Sequence, residues 1–345
     1  MKIGINATAA FTKPRTGVEE YTYQLIKHLA MLEESKKHRF VLYNNQTPKI
    51  KLPENFELKR LKWPLPMWTQ LRLAGEMILK KPEVLFIPVH ALPLIHPQNS
   101  VTTIHGLEYE YYPEMYPKKH LAYLKLATRY ASKKSKKIIV PSESTKKDLI
   151  KFYQTDPNKI KVIHHGVKVP KMKKRERKPE ILFIGRLEKK KNIEGLVQAF
   201  KLLKKKYQLP HKLILAGSKG YGYKKVEEND IIEKGYISQK EKWQLISQAE
   251  VFVLPSFYEG FGIPVLEAQA IGTPVITSNI SSMPEISGEG AILIDPNNIE
   301  QICSMLYKII DDQELKERLI KKGEENARKF TWQKCAQKTL KILEG

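Results

Sequence analysis

The feature that most constrains this chain is a two-part rhythm, in which short apolar runs rich in Ile, Val, Leu and Phe alternate with longer stretches of helical periodicity. In the first half the runs are Lys2–Ala7, Phe40–Tyr43, Val84–Pro88, Ser100–Ile104, Lys137–Pro141 and Lys161–His164. In the second they are Ile181–Ile184, Lys212–Ala216, Ile231–Lys234, Val251–Leu254, Val275–Thr277 and Ala291–Ile294. A buried run joined to the next by an amphipathic helix is a βαβ unit, and such units build parallel sheets covered on both faces. Each half has enough of them for a doubly wound α/β sheet of its own. Between the halves, residues 168–179 are polar, basic and bounded by Pro170 and Pro179, as a linker is. The expected architecture is two domains, residues 1–167 and 180–329, facing a cleft at the carboxyl ends of their strands, where open α/β sheets bind ligands. A last helical pattern, Trp332–Leu343 within residues 330–345, has no strand after it, which predicts that it crosses back to the first domain.

With 41% hydrophobic residues among 345, the chain can fill two cores at the usual ~100–200 residues each. No run of about 18 consecutive apolar residues occurs, so no membrane-spanning helix is predicted. The first residues enter an apolar strand directly, without the flank, apolar region and cleavage site of a secretory signal; a cytoplasmic location is expected. Cys303 and Cys335, each in a helical stretch, make neither a disulfide framework nor a thiolate metal site. The net charge of +23 is uneven, +15 over residues 1–170 and +8 over the rest, and fifty of the sixty basic residues are Lys. Such an excess suits nucleic acid, anionic lipid or a phosphate-bearing substrate, or simply solvates a surface. Without zinc-finger spacing or an RNP signature, no nucleic-acid partner is predicted.

Residues 251–276 carry the most chemistry. A buried strand runs into a Gly-containing loop, then a short helix with Pro264 in its first turn and Gly272 just past its end, then another strand. Gly260 and Gly262 allow close approach of a ligand to the backbone, and the helix N-terminus offers unpaired N–H groups to a phosphate. Glu259 and Glu267 lie eight residues apart. Carboxylates repel a phosphate, so they suit the hydroxyl groups of a sugar instead.

This segment resembles the E-x7-E motif of retaining glycosyltransferases of the GT-B fold. Its surroundings are similar to glycosyltransferase family 4, particularly the mannosyltransferase-like members, and the likeness extends over nearly the whole chain. The resemblance implies two Rossmann-like domains and metal-independent transfer of a hexose, mannose favoured, from a nucleoside-diphosphate sugar with retention at the anomeric carbon. The implied acceptor is a glycan or lipid-linked intermediate of cell-envelope polysaccharide or glycolipid synthesis. Donor contacts are implied for Glu259, Gly260, Phe261, Gly262, Leu266 and Glu267, with Glu259 on a sugar hydroxyl and Glu267 on the ribose.

A second element points the same way. The strand Ile181–Ile184 ends at Gly185, followed by Arg186 and then Lys191 at a helix entry. A planar fork and a point charge suit a diphosphate, and the family's Gly-Arg-Leu…Lys-Asn pattern assigns that role to Arg186 and Lys191. Lys234–Ser238 is similar to the family segment whose main chain meets the nucleobase, which implies a backbone contact at Ile237; Gly217 lines the same site. Gly220-Tyr221-Gly222 reads as a turn. In the first domain, Gly17 resembles the family glycine that approaches the donor's phosphate and sugar. His105 is implied to touch the transferred sugar; many relatives have His-Asp here, and Gly106 replaces the Asp. Tyr109, Tyr111 and Tyr112 either stack on an acceptor sugar or fill a loop surface.

No Asp-x-Asp motif and no His- or Cys-rich spacing is present, so neither a metal nor another cofactor is predicted. Arg186, Lys191 and the helix N-terminus near Ile263 would stabilise the leaving diphosphate. GDP-mannose is the favoured donor and a UDP-sugar the alternative; a GT-B sugar-nucleotide epimerase or hydrolase is a more distant reading. Finally, Lys118–Lys137 contains eight basic and no acidic residues, with Leu121, Leu124, Ala127, Tyr130 and Ala131 on a separate helical face. With Trp63 and Trp68 in the basic Lys59–Trp68 run, it suits peripheral association with an anionic membrane, on the inner face of the plasma membrane. A helix packed on its own sheet with a solvated basic face has the same pattern.

Overall fold

Thirteen parallel strands form two sheets in the computed structural model, which describes residues 1–12, 15–46, 51–64, 66–170 and 175–345. Leu65 of the tryptophan-containing run and Lys171–Lys174 of the expected linker lie outside the described residues. The first sheet is built from β1 (Lys2–Asn6), β2 (Arg39–Asn44), β3 (Phe56–Arg60), β4 (Val84–Ile87), β5 (Ser100–Thr103), β6 (Lys137–Val140) and β7 (Ile160–Val162). Its order is β3-β2-β1-β4-β5-β6-β7. The second contains β8 (Lys178–Ile184), β9 (Lys212–Ala216), β10 (Ile231–Gly235), β11 (Ala249–Leu254), β12 (Val275–Ser278) and β13 (Ala291–Ile294), in the order β10-β9-β8-β11-β12-β13. Strand order reverses between β1 and β4 in one sheet and between β8 and β11 in the other. These reversals open the crevices in which such sheets bind ligands.

The central strands form where the sequence has continuous apolar runs, because both of their faces are covered. The strand β3, Phe-Glu-Leu-Lys-Arg, was not expected. It lies at a sheet edge with only Phe56 buried, and an edge tolerates charge that a central strand does not. Residues Thr69–Leu73 form a π-type turn continuous with the helix Ala74–Leu79, rather than one regular helix. The strand β8 begins at Lys178, inside the segment read as linker. No helix among the described residues is long and apolar enough to cross a membrane.

The chain divides into two units. One comprises Met1–Glu110, Pro117–Gly166 and Thr331–Gly345; the other comprises Tyr111–Tyr116 and Val167–Phe330. In the first unit the C-terminal helix Trp332–Glu344 packs on helix Gly17–Leu29 and buries Trp332, Cys335, Ala336, Leu340 and Leu343. Its anchor is an aromatic pile. Trp332 stacks on His165 at 6.0 Å and 18°, His165 lies 4.5 Å from Tyr21, and Tyr21 meets His105 edge-on at 4.8 Å. Gly166 follows from the same closeness, since a Cβ there would lie 2.1 Å from the Trp332 nitrogen.

Both histidines of the pile stay neutral. Burial is the main cause: it pushes His165 well below the usual imidazole range and His105 down to about 4. The unfolded chain takes up protons on these rings below about pH 6.5 while the folded chain does not. Stability contributed by the neutral rings is therefore present above pH 6.5 and lost as pH falls toward 4. Urea unfolding at pH 7, 5.5 and 4.5 tests this: the midpoint should fall with pH, and His165→Phe should reduce that fall. An unchanged slope in the variant would show that His165 does not contribute.

Candidate functional site

The second unit carries its candidate site at the carboxyl ends of β8, β9, β10 and β11. There the backbone is drawn unusually tight. The Gly185 N–H donates to Ala216 O at 3.0 Å, and the Gly217 N–H to Gly235 O at 2.7 Å. A Cβ on Gly217 would lie 1.8 Å from Gly185 O, and its φ is +147°, so only glycine fits. Beyond the strands the two loops stay joined, Leu187 N–H to Ser218 O at 2.9 Å and Gly220 N–H to Leu187 O at 2.7 Å. A Cβ on Gly220 would sit 2.9 Å from Arg186 Cγ and Cδ. The Gly220-Tyr221-Gly222 segment is thus the turn that was expected, and it packs on the Arg186 methylenes. The guanidinium itself is exposed, with no carboxylate or hydrogen-bond partner among the described residues.

Lys191 closes a single 3-10 turn, Lys189–Lys191, before Asn192 caps helix Ile193–Tyr207. The cap has a left-handed backbone, φ +55°, and its side chain accepts from the Gly195 N–H at 3.2 Å and donates to Pro296 O at 2.6 Å. This fixes where Lys191 points. Its ammonium pairs with Glu259 Oε1, and the two side chains are only 16% and 12% exposed. Ser256 Oγ donates to the same oxygen at 2.8 Å. The Glu259 peptide is held by two further serines: its N–H donates to Ser281 Oγ at 3.2 Å, and its carbonyl accepts from Ser281 at 2.6 Å and Ser282 at 2.7 Å. Sequence reasoning gave Lys191 a phosphate and Glu259 a sugar hydroxyl; the structure pairs them with each other.

After Glu259 the chain enters helix Ile263–Ala270 through Gly262, whose φ is +92° and where a Cβ would meet Met283 Cε at 2.4 Å. The N–H groups of Gly262 and Ile263 have no acceptor among the described residues, and Pro264 has no N–H to offer. Two donors are therefore left unpaired among the described residues at a positive helix end. One turn on, Glu267 is 8% exposed and pairs through Oε1 with Lys242 of helix Gln239–Gln248. Sequence reasoning missed Lys242. It stands in no motif, and nothing but its place one turn after Ile237 sets it apart from the other lysines.

Two expected donor residues turn their side chains inward. Leu266 is fully buried in a cluster with Phe261, Ile286 and Phe330, so it has no surface to offer a ligand. Phe261 turns its ring into the same cluster, 6.0 Å from that of Phe330, which leaves only main chain for contact. Ile237 likewise packs its side chain against the core, while its N–H and C=O carry no partner among the described residues.

In the first unit Gly17 starts an exposed helix end. A Cβ there would meet nothing within 4 Å, so the fold itself does not require glycine. The Thr16 N–H donates to Glu19 at 3.0 Å as part of a capping box. His105 Nε2 lies 2.8 Å from Pro88 O, an acceptor, so Nε2 carries the proton and Nδ1 keeps a lone pair. Tyr109 does not reach the surface: it is buried and its hydroxyl lies 2.6 Å from Thr128 Oγ1. Tyr111 and Tyr112 group with the second unit, their rings 5.6 Å from Tyr258 and 5.9 Å from Phe257, beside Glu259. Among the described residues no three His, Cys, Asp or Glu side chains are placed to hold a metal ion.

The family described as Glycosyl transferases group 1 matches residues 167–326, and Glycosyltransferase Family 4 matches residues 15–170. The O-antigen chain mannosyltransferase B of Escherichia coli is 29% identical over 99% of this chain and 98% of its own length. In fold, the chain is similar to the sucrose-phosphate synthase of Thermosynechococcus elongatus, with TM-score 0.78, 18% identity and coverage of 100% of this chain and 98% of the other. It is also similar to Anabaena HepE solved with UDP-glucose, with TM-score 0.72, 16% identity and coverage of 100% and 99%. Matched in both halves by these family descriptions, the chain belongs to the group 1, family 4 glycosyltransferases of the GT-B fold, and is a hexosyltransferase.

Proposed function

We propose that the protein transfers mannose from GDP-mannose, with retention at the anomeric carbon, to a glycan or lipid-linked acceptor of cell-envelope polysaccharide or glycolipid synthesis. The observation that carries this reading is the strand-end site of the second unit. There an exposed arginine, a lysine–glutamate pair and two unpaired N–H groups belong to loops at strand ends that glycine lets come close together. Arg186, Lys191 and the N–H groups of Gly262 and Ile263 suit the donor diphosphate, the Ile237 main chain suits the base, and Glu267 suits the ribose. Glu259 then accepts from a hydroxyl of the sugar. Gly17 is assigned to the donor's phosphate and sugar, and the neutral His105, with its Nδ1 lone pair, to another sugar hydroxyl.

Chemically, cleavage of the sugar–phosphate bond leaves negative charge on the diphosphate. Fixed donors stabilise it without reorganising. The leaving phosphate itself takes the acceptor's proton on the same face, so no enzyme nucleophile is assigned. Mannose is favoured by the full-length likeness to an O-antigen mannosyltransferase, and a UDP-sugar is the alternative because HepE was solved with UDP-glucose.

A peripheral membrane role is part of the same reading. Helix Lys118–Lys134 buries Leu124, Thr128, Ala131 and Ser132, yet leaves Tyr123 44% and Leu126 67% exposed among Lys119, Arg129 and Lys133. Apolar side chains in a cationic face suit an anionic bilayer. Salt-sensitive sedimentation with phosphatidylglycerol vesicles, weakened by Leu126→Glu, is expected; no binding at low salt would remove this role.

Removing the Arg186 guanidinium should act on turnover. Arg186→Ala is expected to lower kcat by about 10²–10³-fold with an unchanged melting temperature, on the scale of one lost oxyanion donor. Near-normal turnover would refute the diphosphate assignment. For the donor, a nucleotide at 100 times its Kd stabilises the fold by about 2.7 kcal/mol, so GDP should raise the melting temperature more than UDP. Product analysis then separates the activities: a transferase leaves donor largely intact until acceptor is added, and an α-linked product from the α-linked donor establishes retention.

A further inference from the structure

Beside the proposed nucleotide site lies a buried charge pair of which the sequence motif contains only half. Lys242 sits one turn into helix Gln239–Gln248, which begins directly after the Ile237–Ser238 segment; its N–H closes that turn on Ser238 O at 2.8 Å. Its ammonium reaches across to Glu267 Oε1 on helix Ile263–Ala270, with the two side chains 16% and 11% exposed. Burying a lysine and a glutamate costs desolvation and side-chain entropy, and two apolar side chains would join these helices at least as well. What the charged pair adds is direction. It fixes one carboxylate oxygen and ties the segment read as base-binding to the carboxylate read as ribose-binding.

We infer that Lys242 is a positioning residue for the nucleoside. It holds the Glu267 carboxylate in the orientation that accepts from ribose hydroxyls, in register with the main chain of Ile237. This rests on the strand-end site being a nucleoside-diphosphate site. It accounts for an ionised lysine where the fold needs only a helix contact, and it makes hydroxyl recognition depend on a residue that itself touches neither base nor phosphate.

The test is calorimetric titration of GDP and 2′,3′-dideoxy-GDP, with the UDP pair in parallel, into the full chain and its variants. The wild type should prefer the ribonucleotide by about ten- to a hundredfold, the range of charge-assisted hydrogen bonds. In Lys242→Met that preference should shrink to nearly one through weaker binding of the ribonucleotide alone, whereas Lys242→Arg, which keeps the charge, should keep most of it. A preference unchanged in Lys242→Met, or equal losses for both ligands, overturns the assignment, because a merely structural pair behaves that way. Should Lys242→Met fail to fold, the double variant Lys242→Met/Glu267→Gln removes the uncompensated charge. It should match Glu267→Gln on both ligands, and any further loss overturns the inference. A wild type that binds neither nucleotide pair refutes the site reading itself, before any variant is compared.

Discussion

The approach of Gly217 to the carbonyl of Gly185 is the contact on which the second unit's site depends. A Cβ would lie 1.8 Å from that oxygen, so no other residue lets the ends of β8 and β9 come this close. Once they do, Leu187 and Gly220 continue the pairing past the strands, and the turn at Tyr221 presses on the stem of Arg186. The arginine is thereby placed by backbone geometry rather than by a carboxylate. Its charge has no carboxylate partner among the described residues, which suits the anionic ligand proposed for it. A second close approach, Gly262 against Met283, shapes the helix entry, where two N–H groups have no acceptor among the described residues.

The acidic residues follow a different rule. Glu259 and Glu267 are largely buried, and each has a lysine, Lys191 and Lys242 respectively. Removing either lysine alone would leave a buried carboxylate without its cation, which is destabilising even though an apolar pair could serve the fold as well. They differ in consequence. Lys191 is also a proposed phosphate ligand, and on that proposal diphosphate would compete with Glu259 for the same ammonium and free the carboxylate for the sugar. Lys242 has no second task in the proposed site, so on the same proposal its pair would remain intact with ligand bound.

Much of this was legible in the sequence where one physical cause dominates. Central parallel strands are buried on both faces and therefore appear as apolar runs, which located all six strands of the second sheet. Steric demands were legible too, because a glycine closing a strand, as Gly217 does, marks a point where the backbone comes too close to a neighbour for a side chain to fit. The strand β3 was not legible, since an edge needs no apolar run. The inward turn of Leu266 was not legible because a motif names neighbours along the chain, whereas helical periodicity turns Leu266 into the core and Glu267 away from it. Lys242 was invisible for the opposite reason: its partner lies 25 residues away, and no local spacing records that distance.

The surplus of cations acquires a more limited meaning at this site. Arg186, Lys191 and Lys242 against Glu259 and Glu267 leave a single formal positive charge, to which the helix end adds roughly half a charge. A nucleoside diphosphate carries more negative charge than that. On the proposed function, attraction over distance would come from further cations, and Lys189, Lys234 and Lys240 are exposed in the same unit. Such exposed charges are screened beyond about 8 Å at physiological salt, whereas the buried pairs are not. The net +23 therefore divides by burial rather than by sequence: on the proposed function the exposed lysines would govern how fast an anionic donor arrives, and the few enclosed charges what it binds once there.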